Sequence, residues 1–258
     1  MQAWLDFGSG PLFRFSFVLM ILGLIRIFIL TIVGMIENYQ RSPDKIIPWR
    51  DLLNKTFSWL VPVFRVWSKR PLYGGVSIIF HVGLILVPLF YGGHVLLWKN
   101  SVGFAWPALS LGLADFLTLT TIAGGIIMFL ARALYAPARA LSRKQDYVWP
   151  LLLVVPFITG YFAVHQSLNP AAYQWIMLLH IYSANVIMVM IPFTKIAHCI
   201  LLPLSQLVTG LSWKFPAGAG QRVLETMGYD NQPTWIEKPR LEKEPKINVE
   251  VAKETVAE

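Results

Sequence analysis

Cysteine is almost missing from this sequence: one residue in 258, Cys199, and it lies within an apolar stretch. That excludes a disulfide framework and leaves no cysteine-rich motif able to hold an iron–sulfur cluster in this chain. Charge is also scarce. Asp, Glu, Lys and Arg make up 14% of residues against 55% hydrophobic ones, a balance that excludes a soluble globule and marks an integral membrane protein. Carboxylates are the scarcer sign, 14 against 22 Lys and Arg. After Glu37, Asp115 is the carboxylate expected near a span, too little acid for an ion pump. The net charge of +8 would suit nucleic acid only if the basic residues gathered on a soluble face. Here they fall between apolar segments, where membrane topology explains them. The first apolar segment lacks a basic leader and a small-residue cleavage site, so no cleavable signal is expected.

Five segments are long and apolar enough to span as helices, and they predict an all-α membrane protein. They run from about Pro11 to Ile36, Tyr73 to Trp98, Leu113 to Tyr135, Val148 to His165 and Tyr173 to Leu204. The connection from Glu37 to Pro71 carries Arg41, Lys45, Arg50, Lys55, Arg65, Lys69 and Arg70, and the connection after helix three carries Arg139, Arg143 and Lys144. The other two hold only Lys99. The positive-inside rule then places the amino terminus outside and the carboxyl terminus in the cytoplasm, in a bacterial-type inner membrane. Within 37–71 the run DLLNKTFSWLVPVFRVW, interrupted by Pro62, reads as an amphipathic segment along the inner interface. Residues 1–212 form the membrane domain. From 213 to 258 the chain turns polar, with too few large apolar residues to fold by itself, and reads as a cytoplasmic tail.

The chemistry lies in the histidines. His180 and His198 are 18 residues apart, a whole number of helical turns and about 27 Å of rise, so one continuous helix would show both on one face near opposite membrane surfaces. Helix two, FHVGLILVPLFYGGH, carries His81 at its cytoplasmic end and His94 at its outer end. Because helix five runs the other way, two levels each receive two histidines: His81 with His198 inside, His94 with His180 outside. A haem iron with two imidazole ligands needs one on each side of a porphyrin, whose apolar bulk suits membrane depth. An ideal helix would leave His94 turned about 140° from His81, so Pro88, Gly92 and Gly93 are expected to correct its azimuth. Gly83, Gly92 and Gly93 are also expected to admit a ring edge, whereas Gly124 and Gly125 read as helix packing.

Other polar side chains at depth need partners. Arg26 in helix one and Lys195, one turn before His198, would suit haem propionates, with snorkelling the alternative for Lys195. At the outer helix ends Lys99, Asp115, Tyr161, His165 and Tyr182 gather near His94 and His180. His165, Asp115 and Lys99 are the candidate proton-handling residues of an outer site, His165 as the base because imidazole titrates near neutrality. An inner site near His81 and Lys195 is the alternative, and it would move no charge across the membrane.

FHVG early in helix two, a later histidine on the same helix, and the His180 to His198 spacing with PFTKIAH resemble the membrane cytochrome b subunit of respiratory nitrate reductase, its gamma subunit. They resemble equally the b-type subunits of heterodisulfide-reductase-like and sulfite-reduction-associated complexes. The likeness covers roughly residues 11–205. It implies five helices, two haem b groups held by His81, His94, His180 and His198, and electron transfer between a quinone pool and an iron–sulfur partner subunit, with His165, Asp115 and Lys99 as the candidate residues of an outer quinone site. The gamma subunit spaces its helix-two histidines more closely; here an extra turn containing Pro88 intervenes. The chain is therefore expected to be the electron-transfer subunit of a quinone-linked respiratory oxidoreductase. The alternatives are a transporter that relays protons or ions through membrane histidines, and a non-haem metal site, which would need histidines closer in sequence.

Overall fold

A computed structural model describes residues 1–41, 49–60, 71–168, 170–212 and 225–228. Lipid offers a backbone no hydrogen-bond partner, so apolar chain at membrane depth must satisfy itself, and all regular structure among these residues is helical. Five helices are long and apolar enough to cross a membrane: α1 (Gln2–Arg41), α3 (Pro71–Phe90), α5 (Leu111–Leu134), α7 (Lys144–Val164) and Pro170–Phe193, which contains α8 (Tyr173–Met190). Four shorter helices complete the set: α2 (Trp49–Leu60), α4 (Gly92–Val102), α6 (Ala136–Leu141) and α9 (His198–Ser212). Of the segment expected along the inner interface, the end of α1 and all of α2 are described. Residues 42–48 and 61–70, with Pro62, and the expected tail apart from 225–228, lie outside the described residues.

Three expected boundaries change. Helix one starts at Gln2 rather than Pro11, because Pro11 falls in a π-helical turn, Gly8–Leu12, through which the helix continues. The wide turn is locked to α8: Asn185 Nδ2 donates to the Gly8 carbonyl at 3.1 Å, and a Cβ on Gly8 would stand 2.7 Å from Ile181 Cγ2. Helix two is not continuous to Trp98. It ends at Phe90, Tyr91 is extended (φ −64°, ψ 136°), and α4 restarts in a new direction. The carbonyls this break leaves without helical donors are met from the chain that follows. Leu89 accepts from Trp106 Nε1 at 2.8 Å and Phe90 from the Leu109 amide at 2.9 Å, while Val87, which still takes the Tyr91 amide at 3.0 Å, accepts a second hydrogen bond from His94 Nδ1 at 3.1 Å.

Helix five also breaks. Pro192 supplies no amide hydrogen, and two 3₁₀ turns, Ile191–Phe193 and Lys195–Ala197, flank an extended Thr194 (φ −130°, ψ 179°) before α9 begins at His198. The expectation of one face on one helix for His180 and His198 is overturned, since two differently directed helices carry them. The other two spans differ from expectation only by a few residues at their ends.

The helices α3, α5, α7 and α8 pack in sequence order, with α1 against α8 and α9, and α2 against α9. Small residues set the close approaches. Gly83 lies against the Thr121 hydroxyl and the Leu117 carbonyl, so its missing side chain serves the α3–α5 seam and leaves no room there for a haem edge. Gly124 and Gly125 pack on Phe80, as expected of them. Gly23 of α1 sits on Pro192, where a Cβ would come 2.5 Å from the ring. Most large apolar side chains on the outer surface are exposed, as lipid contact permits.

Candidate functional site

Each pair of histidines is assembled at a helix discontinuity. His81 projects from the middle of α3, and its Nδ1 lies 2.6 Å from the Ser77 carbonyl one turn back. His198 is the first residue of α9, with Nδ1 2.8 Å from the Lys195 carbonyl of the preceding 3₁₀ turn. The two ring centres are 6.0 Å apart with planes crossed at 88°. On the other level, His94 lies in the first turn of α4, turned by the break at Tyr91, with Nδ1 against the Val87 carbonyl. His180 of α8 places Nδ1 2.8 Å from the Pro156 carbonyl of α7. These rings are 5.9 Å apart and nearly parallel, at 6°.

A carbonyl oxygen can only accept, so all four imidazoles carry their hydrogen on Nδ1 and keep the Nε2 lone pair for a ligand. Carbonyls of this kind fix tautomer and ring orientation in metal sites generally. Two nitrogens each about 2.0 Å from one iron, with about 1.1 Å from nitrogen to ring centre, put imidazole centres roughly 6.2 Å apart. Both pairs match that spacing. Among the described residues no three His, Cys, Asp or Glu side chains gather to hold a metal, so the donor set at each level is two imidazoles, which fits haem and not a multi-carboxylate centre.

Gly160 of α7 is a site residue that the sequence reading missed. A Cβ there would stand 2.9 Å from His180 Cε1 and 3.1 Å from Nδ1, so glycine is what lets the imidazole reach the Pro156 carbonyl. Asp146, in the first turn of α7, was missed as well, and it corrects the reading of Asp115 as the carboxylate near a span. Its oxygens hold Lys195 Nζ at 2.7 Å, it caps α7 by accepting from the Arg143 amide, and Arg132 Nη1 donates to its carbonyl at 2.8 Å. Lys195 is thus ion-paired with Asp146, and its own carbonyl lies against His198 Nδ1. The signal was available: Asp146 stands three residues after Arg143, the spacing of a helix-capping residue.

Near the His94 and His180 level Asp115 and His165 come together, Oδ2 to Nε2 3.3 Å, each side chain about a quarter exposed at 27% and 28%. His165 Nδ1 lies 3.0 Å from the Tyr161 carbonyl and its ring stacks on Tyr161 at 4.4 Å. With both nitrogens engaged, His165 differs from the other four histidines, which each keep one free. Tyr91 bridges the two groups in space: its ring meets His94 edge-on at 5.3 Å, and its hydroxyl lies within electrostatic reach of Asp115 and Tyr173. Lys99 does not join this cluster; it is exposed on α4 and pairs with neither Asp115 nor His165. Tyr182 instead donates to the Trp4 carbonyl of α1 at 3.3 Å. Arg26 is exposed on α1, half a turn round the helix from Phe17, whose ring packs on Trp98 of α4, and so points away from the side on which α4 lies.

No family model matches the chain, and no solved structure matches it. A curated protein of Nitratidesulfovibrio vulgaris (strain Hildenborough), named only "Protein", is 29% identical over 220 residues, which cover 84% of this chain and 96% of the relative.

Proposed function

We propose that the chain is a di-haem b-type cytochrome, the membrane subunit that carries electrons between a quinone pool and a cytoplasmic iron–sulfur partner in an inner-membrane respiratory complex. The observation that supports it is the pairing: four of five histidines meet two by two from different helices at the spacing of a shared iron, with every Nδ1 satisfied by a carbonyl. His81 and His198 would hold one haem b, His94 and His180 the other. When bound, each haem supplies a one-electron carrier. The chain's part is to hold the ligand nitrogens, exclude water with apolar helices, and handle protons at the quinone.

With the amino terminus outside, as the basic inner connections favour, the His94 and His180 pair lies at the outer level. Asp115 and His165 then form the proton-accepting side of a quinol site beside it. The carboxylate holds one imidazole nitrogen and stabilises the cation that proton uptake creates, and the partial exposure of both groups opens a path to outer water. Protons released outside while electrons travel inward would charge the membrane. The test is a reduced-minus-oxidised spectrum and haem assay of the purified chain. Bands of b haem at two per chain are expected, and a colourless protein overturns the proposal.

A further inference from the structure

Every transmembrane helix exposes apolar side chains, but α1 alone among the described spans also exposes a charge at mid-depth. Arg26 lies about 18 Å of rise from Arg14 and about 16 Å from Glu37, the charges that flank it on the same helix. Those two distances together slightly exceed the ~30 Å hydrocarbon core, so Arg26 sits near its centre. A guanidinium on a side chain of roughly 6 Å cannot snorkel from there to either headgroup layer. It is exposed and, among the described residues, has no hydrogen bond or ion pair. The face around it is a continuous exposed stripe, Phe15, Val18, Leu22, Ile25 and Ile29, on a helix of 40 residues. By contrast the outward faces of α5 and α7 show only apolar residues at their middles, such as Leu119 and Leu152, which lipid alone satisfies.

We infer that this face of α1 docks a transmembrane helix of a different membrane protein, one that carries an Asp or Glu at mid-depth to pair with Arg26. Charge complementarity decides the occupant. A second copy of this chain meeting α1 by two-fold symmetry would bring one Arg26 toward the other. The described carboxylates are also committed or badly placed for that role: Asp115 faces His165, Asp146 holds Lys195, Asp6 and Glu37 lie near the ends of α1, and Asp51 and Glu225 lie outside the five spans. Lipid offers no anion at this depth. The inference is independent of haem binding.

The experiment uses the full-length chain in its native membrane, with a photo-crosslinking benzophenone amino acid at Leu22 or Ile29 and, as control, at Leu119. Adducts from the α1 positions, absent from the control, should map by peptide sequencing to an apolar segment of another protein within about one turn of an acidic residue. Arg26→Leu should lower the yield, normalised to chain present in the membrane, by roughly three- to tenfold, the range for a polar contact between membrane helices. Arg26→Lys should keep the adduct. Exchanging charges, Arg26→Glu with Arg at the partner's acidic position, should restore it. Adducts chiefly to a second copy, adducts to a segment without a carboxylate, no adduct above the control, or a yield indifferent to Arg26→Leu would each overturn the inference.

Discussion

A single carbonyl decides what each histidine of this protein can do. Nδ1 of His81, His94, His180 and His198 faces a backbone oxygen that can only accept, which leaves Nε2 available to a ligand, whereas His165 has its Nε2 against Asp115. Replacing His81 or His198 with Ala should therefore lower the haem content from two to one per chain by removing the haem of that level, and His94→Ala or His180→Ala should remove the other. Haem titration with split reduction potentials checks the assignment; loss of the outer haem from a His81 variant would break the pairing. Gly160→Val should behave like a His180 variant, because its side chain would occupy the space of the imidazole. Gly112→Ala, which meets nothing within 4 Å, should leave both haems in place. His165→Gln keeps size and removes the titrating group. It should slow quinol-driven reduction and flatten its pH dependence while both haems remain, and unchanged rates would remove His165 from the proton path.

At the scale of the element, the breaks matter more than the helices. A straight helix two would turn His94 away from His81, and the extended Tyr91 lets α4 restart with His94 facing His180. The break persists in an apolar setting because Trp106 and Leu109 satisfy the freed carbonyls of Leu89 and Phe90. The turn that ends at His198 is tied to α7 by Lys195 and Asp146. That ion pair is partly exposed, with Lys195 49% accessible, so it adds only about 0.5 kcal/mol to stability. Its larger effect is positional: an outer partner of a metal ligand typically changes affinity about 10- to 100-fold. Asp146→Asn should hence leave thermal stability nearly unchanged while it weakens or shifts the potential of the inner haem only, and Asp146→Lys with Lys195→Asp should recover it. Equal effects on both haems in a redox titration would show that Asp146 acts through global stability instead.

For the whole molecule, orientation sets the direction of charge movement. Gln2→Cys in a Cys199→Ser background should react with a membrane-impermeant thiol reagent added to intact cells, because the amino terminus is expected outside. Labelling only after the membrane is opened would put the Asp115 and His165 pair on the inner side and abolish the proposed charge separation. The sequence by itself determined how many helices can cross, since roughly 20 apolar residues are the length a bilayer demands. It also determined which histidines meet: His81 and His198 were matched, like His94 and His180, by depth alone, and their rings come together. Depth is readable because rise per residue is constant along a helix. Azimuth is not, because it is reset at each break, and the breaks at Tyr91 and Ile191–Ala197 take their geometry from neighbours distant in sequence. Those neighbours are Trp106, Leu109, Gly23 and Asp146. Only the tertiary structure decided where they stand, because a freed backbone group in an apolar interior adopts whichever direction leads to a partner.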